Sequence, residues 1–570
     1  MGAAARGFAD PPFSGSKQLR GRYTLGAWDL ERVFPFRIEH TIEWLCTMNH
    51  AALSWIRQRL FPLLAIVWVA ILLPDLGARY SFGWDSSQFD RAVSDFDIAR
   101  HQPHPPGYPL WVLALRGVSP IAGNPNRAQV LLASLFTLAG LWFFRALALD
   151  LLGDRTGLSA TLLLAFSPLT CLNANSSQVY AVDLFTSCFA GWLAAELWSG
   201  RTHRAAPGFA VVAIAAGFRP SGAVFLLPLL CFALGRSCLK KPIHAAAGVL
   251  AGGACWLAWF VPTALLSGGF RALAALNHNQ MASSFSKTSV FYGAPAINHV
   301  HMVGDVCIYF AVAISGFMPP LAASWCSRHK GAADPPSRAA PAWATPVFFF
   351  LWMAPNLALV CLFHCSQPGY LLLSLPPLAL LLAWFARRTL NGLGWATAGI
   401  AVALLVGNFP YERFMNPAAT TLPFVVLRAT PRISRLIESS QREIRALIDR
   451  MPGRPDEKLL FCLLRRFEAP NIRTVTYDFS DVAWADFEGP GFRVLAPGEG
   501  SFSVRLPASV RSVAWLCDGA GLPTAIRAQF PQVRQIAGSR LFSVWAAPAD
   551  EAQMGAMLKL TAPGAQTAIP

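Results

Sequence analysis

The segment from Trp84 to Leu110 concentrates the residues of this chain that could do chemistry. It contains four carboxylates, two histidines and two arginines, and it lies between apolar segments long enough to cross a bilayer. Its two richest stretches read Trp84-Asp85-Ser86-Ser87-Gln88-Phe89-Asp90 and Arg100-His101-Gln102-Pro103-His104-Pro105-Pro106-Gly107-Tyr108. A carboxylate can take a proton and a cation can stabilise developing negative charge, so the segment predicts a catalytic loop at a membrane face.

The composition defines the class of protein that must position this loop. Of 570 residues, 54% are hydrophobic and only 14% are charged, and the mean hydropathy is +0.41. Such a chain cannot cover the surface of a soluble globule and predicts a polytopic membrane protein. The net charge of +16 comes from lysines and arginines spaced regularly among loops, not from one patch, so we expect no nucleic-acid partner.

Apolar runs of roughly 16 to 24 residues, flanks included, alternate with basic loops and predict about eleven transmembrane helices. Because the basic loops belong in the cytoplasm, the amino terminus is predicted inside and the carboxyl terminus outside. The segment Tyr108 to Ala122 contains Arg116 and Pro120 and is predicted as an interfacial or re-entrant helix. The predicted spans are Phe61–Leu76, Gln129–Leu149, Leu158–Leu172, Ala181–Trp198, Pro207–Phe218, Ser221–Leu234, Ile243–Leu266, Val303–Trp325, Trp343–Phe363, Tyr370–Phe385 and Trp395–Phe409.

These features divide the chain into three parts. Residues 1–59 form a cytoplasmic amino-terminal segment, and residues 60–410 form an all-α transmembrane domain whose first outer loop is 77–127. Residues 411–570 are richer in charge and in Pro-Gly turns, which predicts a small extracytoplasmic α/β domain. We expect a helix over 432–450, strands over 459–464, 502–506, 512–516 and 541–545, and a loosely ordered tail after Pro548.

The twelve cysteines lie mostly within apolar spans, where cysteine is a small buried hydrophobe. No CxxC pair occurs, so the sequence does not predict a structural zinc site. Cys462 and Cys517 lie in the predicted outer domain, where an oxidising compartment permits a disulfide, although spacing alone does not establish that the two thiols meet.

Three blocks resemble the bacterial membrane glycosyltransferases of the GT-C class, in particular the group related to protein O-mannosyltransferases. The blocks are Trp84-Asp85-Ser86-Ser87-Gln88 with His104-Pro105-Pro106-Gly107-Tyr108-Pro109-Leu110-Trp111, Ser176-Ser177-Gln178-Val179-Tyr180-Ala181-Val182-Asp183, and His364-Cys365-Ser366-Gln367-Pro368-Gly369-Tyr370-Leu371. The related group tends to carry Asp-Ser-Gly-Glu where this chain has Asp85-Ser86-Ser87-Gln88, so the role of that glutamate is lost or moved.

The resemblance implies that a hexosyl or pentosyl group moves from a polyprenyl-phosphate carrier to a hydroxyl acceptor at the periplasmic face of the cell membrane, with inversion. An acceptor hydroxyl is a poor nucleophile, and a carboxylate base within hydrogen-bond reach typically contributes roughly 10²-fold to 10⁴-fold. Asp85 is the predicted base, although a helix cap is the ordinary alternative for an aspartate in this position. A transporter or flippase for a lipid-linked glycan is the alternative function, because it would also need many spans and phosphate-binding arginines.

The leaving lipid phosphate requires cations or hydrogen-bond donors aimed at its oxygens. Arg219 is the strongest candidate by position, because an arginine at an outer membrane edge needs an anionic partner, but Arg219-Pro220 also fits a plain helix start. The other phosphate candidates are Arg100, His101, His104, His364 and Gln367. His104 also fits loop packing, and Gln367 also fits a tight turn.

Side chains beside this loop are candidates for binding the acceptor or the sugar. They are Asp90, Tyr108, Tyr180, Asp183 and Tyr370. Asp90 also fits a solvated loop charge, and Asp183 also fits a first-turn acid that complements a helix dipole. Oligosaccharyl transferases of the class use paired carboxylates to hold a metal. This chain offers Asp85 and Asp183 but no Asp-x-Asp pair at the second position, which favours a reaction without a metal or other cofactor and leaves a divalent metal as the alternative.

Overall fold

The computed structural model describes the helical part of the chain over residues 84–99, 102–327, 346–365, 367–390 and 393–407, together with residue 66. It also describes the short segments 458–462, 494–498, 501–505, 512–517, 527, 530–538, 543–548 and 557–561. Residues 1–47 lie outside these ranges. The predicted first span 61–76, the helix over 432–450, Arg100 and His101 also lie outside the described residues, apart from Ile66.

Helices make up nearly all of the described part before residue 408. In chain order they are α1 (Trp84–Ala92), α2 (Pro109–Ala122), α3 (Pro125–Leu152), α4 (Asp154–Ala165), α5 (Pro168–Asn175), α6 (Ala181–Trp198), α7 (Ala205–Phe218), α8 (Pro220–Lys240), α9 (Pro242–Leu266), α10 (Phe270–Thr288), α11 (Ala296–Ala313), α12 (Met318–Ser327), α13 (Pro346–Ala358), α14 (Leu375–Phe385), α15 (Arg387–Leu390) and α16 (Leu393–Gly407). Short 3₁₀ turns cover Thr202–Arg204, Val290–Tyr292, Ser315–Phe317 and Pro368–Leu373, and a π-helical turn, Leu359–Phe363, extends α13.

Apolar length supports a membrane-spanning domain. Within the described residues, α3, α8, α9, α11 and α13 with its π turn are long and apolar enough to cross a bilayer, and α4 with α5 makes a sixth span if that bent pair counts as one. The pair is bent by 55° where Pro168 begins α5, so the predicted span over 158–172 is broken. The predicted polytopic all-α fold is confirmed.

One polar helical segment was predicted from the sequence and two were not. The stretch 109–122 is a helix, as expected of an interfacial segment, and proline occupies its first position. Residues 84–92, predicted as a loop, form α1. No element was predicted over 270–288, where α10 forms, because its polar residues gave no long apolar run.

Helix α6 lies at the centre of the core and packs through small residues. A Cβ at Gly140 of α3 would approach the Phe185 Cα of α6 to 3.0 Å, and a Cβ at Gly191 would overlap the Trp352 ring of α13 at 2.1 Å. The Trp352 indole donates to Ser187 Oγ (2.9 Å), which donates to the Leu373 carbonyl (2.6 Å). Close backbone approach and interhelical hydrogen bonds stabilise helices in a membrane, where hydrophobic burial adds little.

Ion pairs hold the carboxyl-terminal end of α6 in place. The buried Glu196 carboxylate accepts hydrogen bonds from Arg201, and the Arg204 Nε lies 2.9 Å from its Oε2. Arg236 stacks on Trp198, with its guanidinium 4.5 Å from the ring centroid. These arginines belong to the loops predicted to be cytoplasmic, and they neutralise the one acid of this helix end.

The described strands after residue 457 form two sheets. One has the order β1 (Lys458–Cys462), β4 (Ser512–Cys517), β6 (Ser543–Pro548), β5 (Arg534–Gly538), and the other has the order β2 (Val494–Gly498), β3 (Ser501–Arg505), β7 (Met557–Thr561). Only β1 with β4 is parallel. The four predicted strands are found within a few residues of their expected bounds. The expectation of a loosely ordered tail was wrong, because β7 pairs with β3. The register aligns Cys462 with Leu516, the neighbour of Cys517, and the disulfide stays a prediction.

The contact between Gly191 and Trp352 gives a test of the helix packing. We expect Gly191→Ala to lower the stability of the protein by about 1–3 kcal/mol, because the fully buried Trp352 ring is held by Ser187 and has no space to move. Gly253→Ala is the matched control, since a Cβ at Gly253 meets no other described atom within 4 Å. Thermal unfolding in detergent, followed by size-exclusion chromatography, measures both. Equal Tm values for the two variants would contradict this packing.

Candidate functional site

Helix α1 carries Asp85 and is held in place from two sides. Arg116 of α2 donates to the carbonyls of Val93 (2.8 Å) and Ala92 (3.0 Å), which satisfies the carboxyl end of α1. The Phe89 ring packs edge-on against Tyr108 at 5.1 Å between centroids and contacts Trp111 at 6.2 Å. Arg116, which made the segment over 108–122 unsuitable as a membrane span, therefore ties α2 to α1.

Asp90 lies on the side of α1 that faces α3. The Gln129 side chain donates to Asp90 Oδ1 (2.6 Å) and to the Ser86 carbonyl (2.9 Å). Ser86 Oγ donates to the carbonyl of Ser177, which precedes α6. The contacts of Asp90 on this side join helices, which fits a structural role as well as the predicted substrate contact.

Asp85 lies in the first turn of α1 with 26% of its side chain exposed. Its Oδ1 lies 3.9 Å from His104 Nδ1. A partly open carboxylate beside an imidazole can accept a proton from a bound hydroxyl. The structure therefore allows the predicted role of Asp85 as a base.

His104 is held by two neighbours as well. Its backbone N–H donates to Gln88 Oε1 (3.1 Å), and its Nδ1 lies 2.7 Å from the same oxygen. Its Nε2 lies 3.2 Å from the Tyr108 hydroxyl. Gln88 therefore fixes the imidazole beside Asp85. This role of Gln88 was not predicted from the sequence, although a glutamate is usual at this place in the group that the sequence blocks resemble.

The backbone around Tyr108 is unusual. Tyr108 adopts φ 45° and Gly107 adopts φ 100°, both left-handed, immediately before α2. A tyrosine in this region stores strain that the surrounding structure must hold. A Cβ at Gly107 would overlap Ile98 Cδ1 at 2.3 Å, so glycine is required there for space as well as for conformation. The turn predicted from Pro105-Pro106-Gly107 thus aims Tyr108 at His104.

A buried ion pair forms the second half of the site. Arg219, just before α8, donates from Nε to Asp183 Oδ2 of α6 (2.5 Å), and their side chains are 3% and 1% exposed. Asp183 is the anionic partner that an arginine at a membrane edge requires. Asp183 Oδ1 accepts no hydrogen bond from the described residues, and a Cβ at Gly222 would approach it to 2.6 Å. The close approach of α8 to α6 therefore depends on a glycine.

Two tyrosines stack on the Arg219 guanidinium. Its carbon lies 4.1 Å from the Tyr180 ring centroid and 5.5 Å from that of Tyr370, an arrangement typical of cation–π contacts. A Cβ at Gly369 would overlap the Tyr180 ring at 2.3 Å, so the loop before α14 can reach the ring only with glycine. Tyr180 and Tyr370, which are distant from Arg219 in sequence, thus meet at its guanidinium.

The two halves share one electrostatic environment. Burial raises the pKa of Tyr108 well above its ordinary value; Arg219 opposes the shift, whereas Tyr370 and the carboxylates of Asp85 and Asp183 add to it. Burial likewise raises the pKa of Tyr180, and the charges of Asp85 and Arg219 again act in opposite directions. Both tyrosines therefore stay protonated. The charges of Asp85, Asp183 and Arg219 therefore all act on the Tyr108 hydroxyl.

His364 follows the π turn, and its contacts restrict what it can bind. Burial and the nearby Lys287 charge lower its pKa to about 4, so it is neutral at pH 7. Its Nδ1 lies 3.2 Å from Thr288 Oγ1, which lies 2.8 Å from the Phe363 carbonyl oxygen. The Thr288 hydroxyl can donate either to that carbonyl or to Nδ1, and the neutral ring carries one N–H. His364 can therefore offer a phosphate a hydrogen bond but no positive charge, and its role as a phosphate ligand stays a prediction. It packs near the rings of Tyr370 and Phe285, and Thr288 from α10 was not predicted from sequence.

Gln367 lies in the same loop. Its Oε1 is buried and accepts no hydrogen bond from the described residues, so that oxygen can accept one from an added ligand. Among the residues that the structure describes, no group of three or more His, Cys, Asp or Glu side chains could hold a metal ion. Metal independence stays a prediction.

Comparison with known proteins places this geometry in a fold. No family model and no curated protein matches the sequence. Two crystal structures of ArnT from Cupriavidus metallidurans match, one bound to undecaprenyl phosphate at 12% identity and one in the apo state at 11%. Each has a TM-score of 0.53 and covers 89% of this chain and 100% of the ArnT chain. The chain therefore has the polytopic membrane fold of the GT-C class.

The Asp183–Arg219 pair predicts an asymmetric response to mutation. Asp183→Leu leaves a buried guanidinium unpaired, and we expect it to lower stability by about 3–5 kcal/mol. The double variant Asp183→Leu with Arg219→Met removes both charges and should be more stable than the single variant, because no buried charge is left uncompensated. Thermal unfolding of the purified variants measures both effects. If the double variant is less stable than Asp183→Leu, the two charges do not offset each other's desolvation.

Proposed function

We propose that the protein is a membrane glycosyltransferase that moves a sugar from a polyprenyl-phosphate carrier to a hydroxyl acceptor. One observation carries this proposal: a partly exposed carboxylate, Asp85, and a buried guanidinium, Arg219, are both held at the start of α6. Ser86, the neighbour of Asp85, donates to the Ser177 carbonyl, and Arg219 pairs with Asp183. This chain also shares the fold of ArnT, which has been crystallised with undecaprenyl phosphate. A base for the acceptor and a cation for the carrier phosphate are the two groups that this reaction needs.

The proposed step transfers one proton and one glycosyl group. The acceptor oxygen attacks the anomeric carbon and passes its proton to Asp85 as the new C–O bond forms. The bond between the anomeric carbon and the phosphate oxygen breaks, and its electron pair leaves with the polyprenyl phosphate. Attack from the side opposite the leaving group inverts the anomeric centre.

Arg219 is proposed to stabilise the leaving phosphate. The guanidinium lies in a buried environment, where its attraction for a growing negative charge is stronger than in water. Asp183 holds the guanidinium through Nε, and the Tyr180 ring covers one of its faces. These contacts position Arg219 before the substrate arrives, so little reorganisation is needed. Arg100, His101, His364 and Gln367 remain proposed phosphate ligands.

The finer assignments are proposals of the same kind. The similarity of the sequence blocks to the O-mannosyltransferase group favours a hexosyl or pentosyl donor. The basic loops favour an outer, periplasmic site, with the amino terminus in the cytoplasm and the domain over 411–570 outside, where it would guide the acceptor. Tyr180 and Tyr370 offer ring faces beside Arg219, and sugars pack well on aromatic rings.

Replacing Asp85 tests the reaction. We expect Asp85→Asn to lower kcat by roughly 10²-fold to 10⁴-fold, because the amide cannot accept the acceptor proton. Asp95→Asn is the matched control, since Asp95 is an exposed carboxylate of the same loop. Purified protein in nanodiscs is incubated with a panel of polyprenyl-phosphate sugars and hydroxyl acceptors, and carrier release is followed by mass spectrometry. Full turnover by Asp85→Asn, with normal folding, would refute the assignment of the base.

The same assay separates the proposal from its alternatives. A flippase would move a fluorescent lipid-linked glycan between leaflets of a vesicle without releasing the carrier, and that result would replace the transferase proposal. We expect EDTA treatment to leave the rate unchanged, because the proposed step is carried by side chains of this chain alone. Loss of activity in EDTA, with recovery on adding a divalent cation, would show that a metal takes part.

A further inference from the structure

The hydrogen bonds around His104 have a defined direction. The backbone N–H of His104 can only donate, so the Gln88 side-chain atom that it meets at 3.1 Å is the amide oxygen. The same oxygen lies 2.7 Å from His104 Nδ1. Two hydrogen-bond acceptors do not bond to each other, so Nδ1 carries the proton. Gln88, which is 1% exposed, thereby fixes a proton on Nδ1.

The position of that proton determines what Tyr108 does. With the proton on Nδ1, Nε2 of the neutral ring holds a lone pair and can only accept. The Tyr108 hydroxyl lies 3.2 Å from Nε2 and must therefore donate to it. A hydroxyl has one proton, and this contact uses it. The Tyr108 oxygen then has only lone pairs to offer to any other group.

We propose that the Tyr108 oxygen is an acceptor site that recognises a hydroxyl group of a substrate, and that His104 is the positioning residue that fixes this polarity. The proposal rests on the proposed function and deepens it, because it names the chemical group that this side of the site selects. A phosphate oxygen is excluded from this position, since it would meet lone pairs. A sugar hydroxyl or the acceptor alcohol has the proton that the Tyr108 oxygen lacks.

The surroundings of Tyr108 fit this role. Its left-handed backbone, with φ 45°, and the adjoining Gly107 hold the side chain at His104 despite the conformational cost. The Phe89 ring packs edge-on against the tyrosine, at 5.1 Å between centroids. Asp85 lies 3.9 Å from His104 Nδ1 and Tyr108 lies 3.2 Å from Nε2, so the proposed base and the tyrosine hydroxyl both border the same imidazole. The rigid support would preserve one hydrogen-bond direction through each catalytic cycle.

This assignment changes the role predicted for His104. As a phosphate ligand it would need an N–H directed at the carrier, but its one proton in the neutral ring is shared with Gln88. His104 acts instead through Tyr108. Arg219 then binds the carrier phosphate, whereas Tyr108 and Asp85 contact substrate hydroxyl groups.

The tautomer can be measured without any substrate. The full-length protein, labelled with ¹⁵N-histidine and held in nanodiscs, is examined by solid-state NMR at neutral pH, and His104 is assigned by the signal lost in His104→Asn. We expect a protonated Nδ1 and an unprotonated Nε2. A protonated Nε2, whether as the other tautomer or as the imidazolium, would overturn the proposal even if the protein is a glycosyltransferase.

Kinetics tests the recognition. Tyr108→Phe removes the acceptor oxygen, and His104→Asn keeps an amide donor for Gln88 but leaves the Tyr108 hydroxyl free to turn. The carrier-release assay uses the polyprenyl-phosphate sugar and the acceptor as substrates. In it we expect each variant to raise the KM of one substrate about tenfold, while kcat stays within about threefold of the parent value. The double variant should match Tyr108→Phe, because His104 acts only through that hydroxyl.

Two further measurements separate this role from others. Replacing one substrate hydroxyl at a time by fluorine removes a hydrogen-bond donor. For the hydroxyl that contacts Tyr108, the fluoro analogue should bind the parent enzyme and Tyr108→Phe with the same affinity. Affinity for undecaprenyl phosphate alone, which carries no sugar, should be unchanged in both variants. Weaker binding of that lipid, or additive effects of the two substitutions on KM, would contradict a hydroxyl-recognising Tyr108. The Tm of His104→Asn, expected to stay at the parent value, controls for a merely structural effect.

Discussion

A charge buried at the edge of a membrane must have a partner, and the ion pair between Arg219 and Asp183 meets this constraint. The desolvation of each group is offset by the other at 2.5 Å and by the Tyr180 ring. The pair also joins α6 to α8, because the two residues lie at the amino-terminal ends of these helices. Its geometry requires a glycine at 222, where a side chain would collide with the carboxylate. The pair thus fixes both a helix contact and the direction in which a cation faces the site.

In the first loop the buried polar groups are neutral, and they also need partners. Gln88, His104 and Tyr108 form a chain of hydrogen bonds in which each contact dictates the direction of the next. Gln129 and Ser86 join the opposite side of α1 to α3 and to the start of α6. Asp85, supported in this way, keeps its position beside His104. Such preorganisation is what a catalytic site gains from rigid support. The two halves meet around Tyr108 and Tyr180.

The sequence predicted the helices best where they are apolar. Spans over 129–149, 243–266 and 343–363 were found because continuous apolar runs are a strong signal in a chain that must cross a bilayer. Helices α1 and α10 were missed because their polar residues give no such run, although α10 supplies Thr288 to His364. The strand β7 was missed because a short strand at the end of a chain is stabilised by pairing with β3, and that pairing is not local in sequence.

The residue types alone determined that this chain spans a membrane, that Asp85 lies in a chemically equipped loop, and that Arg219 needs an anion, because hydropathy and the cost of burying charge are properties of local sequence. The tertiary structure alone decided that the anion is Asp183, that Asp90 pairs with Gln129, and that His104 donates to Gln88. Each of these depends on which helices lie side by side. Hydrogen-bond direction follows from three-dimensional contact, so no spacing along the chain could have revealed that Tyr108 presents only lone pairs to the site.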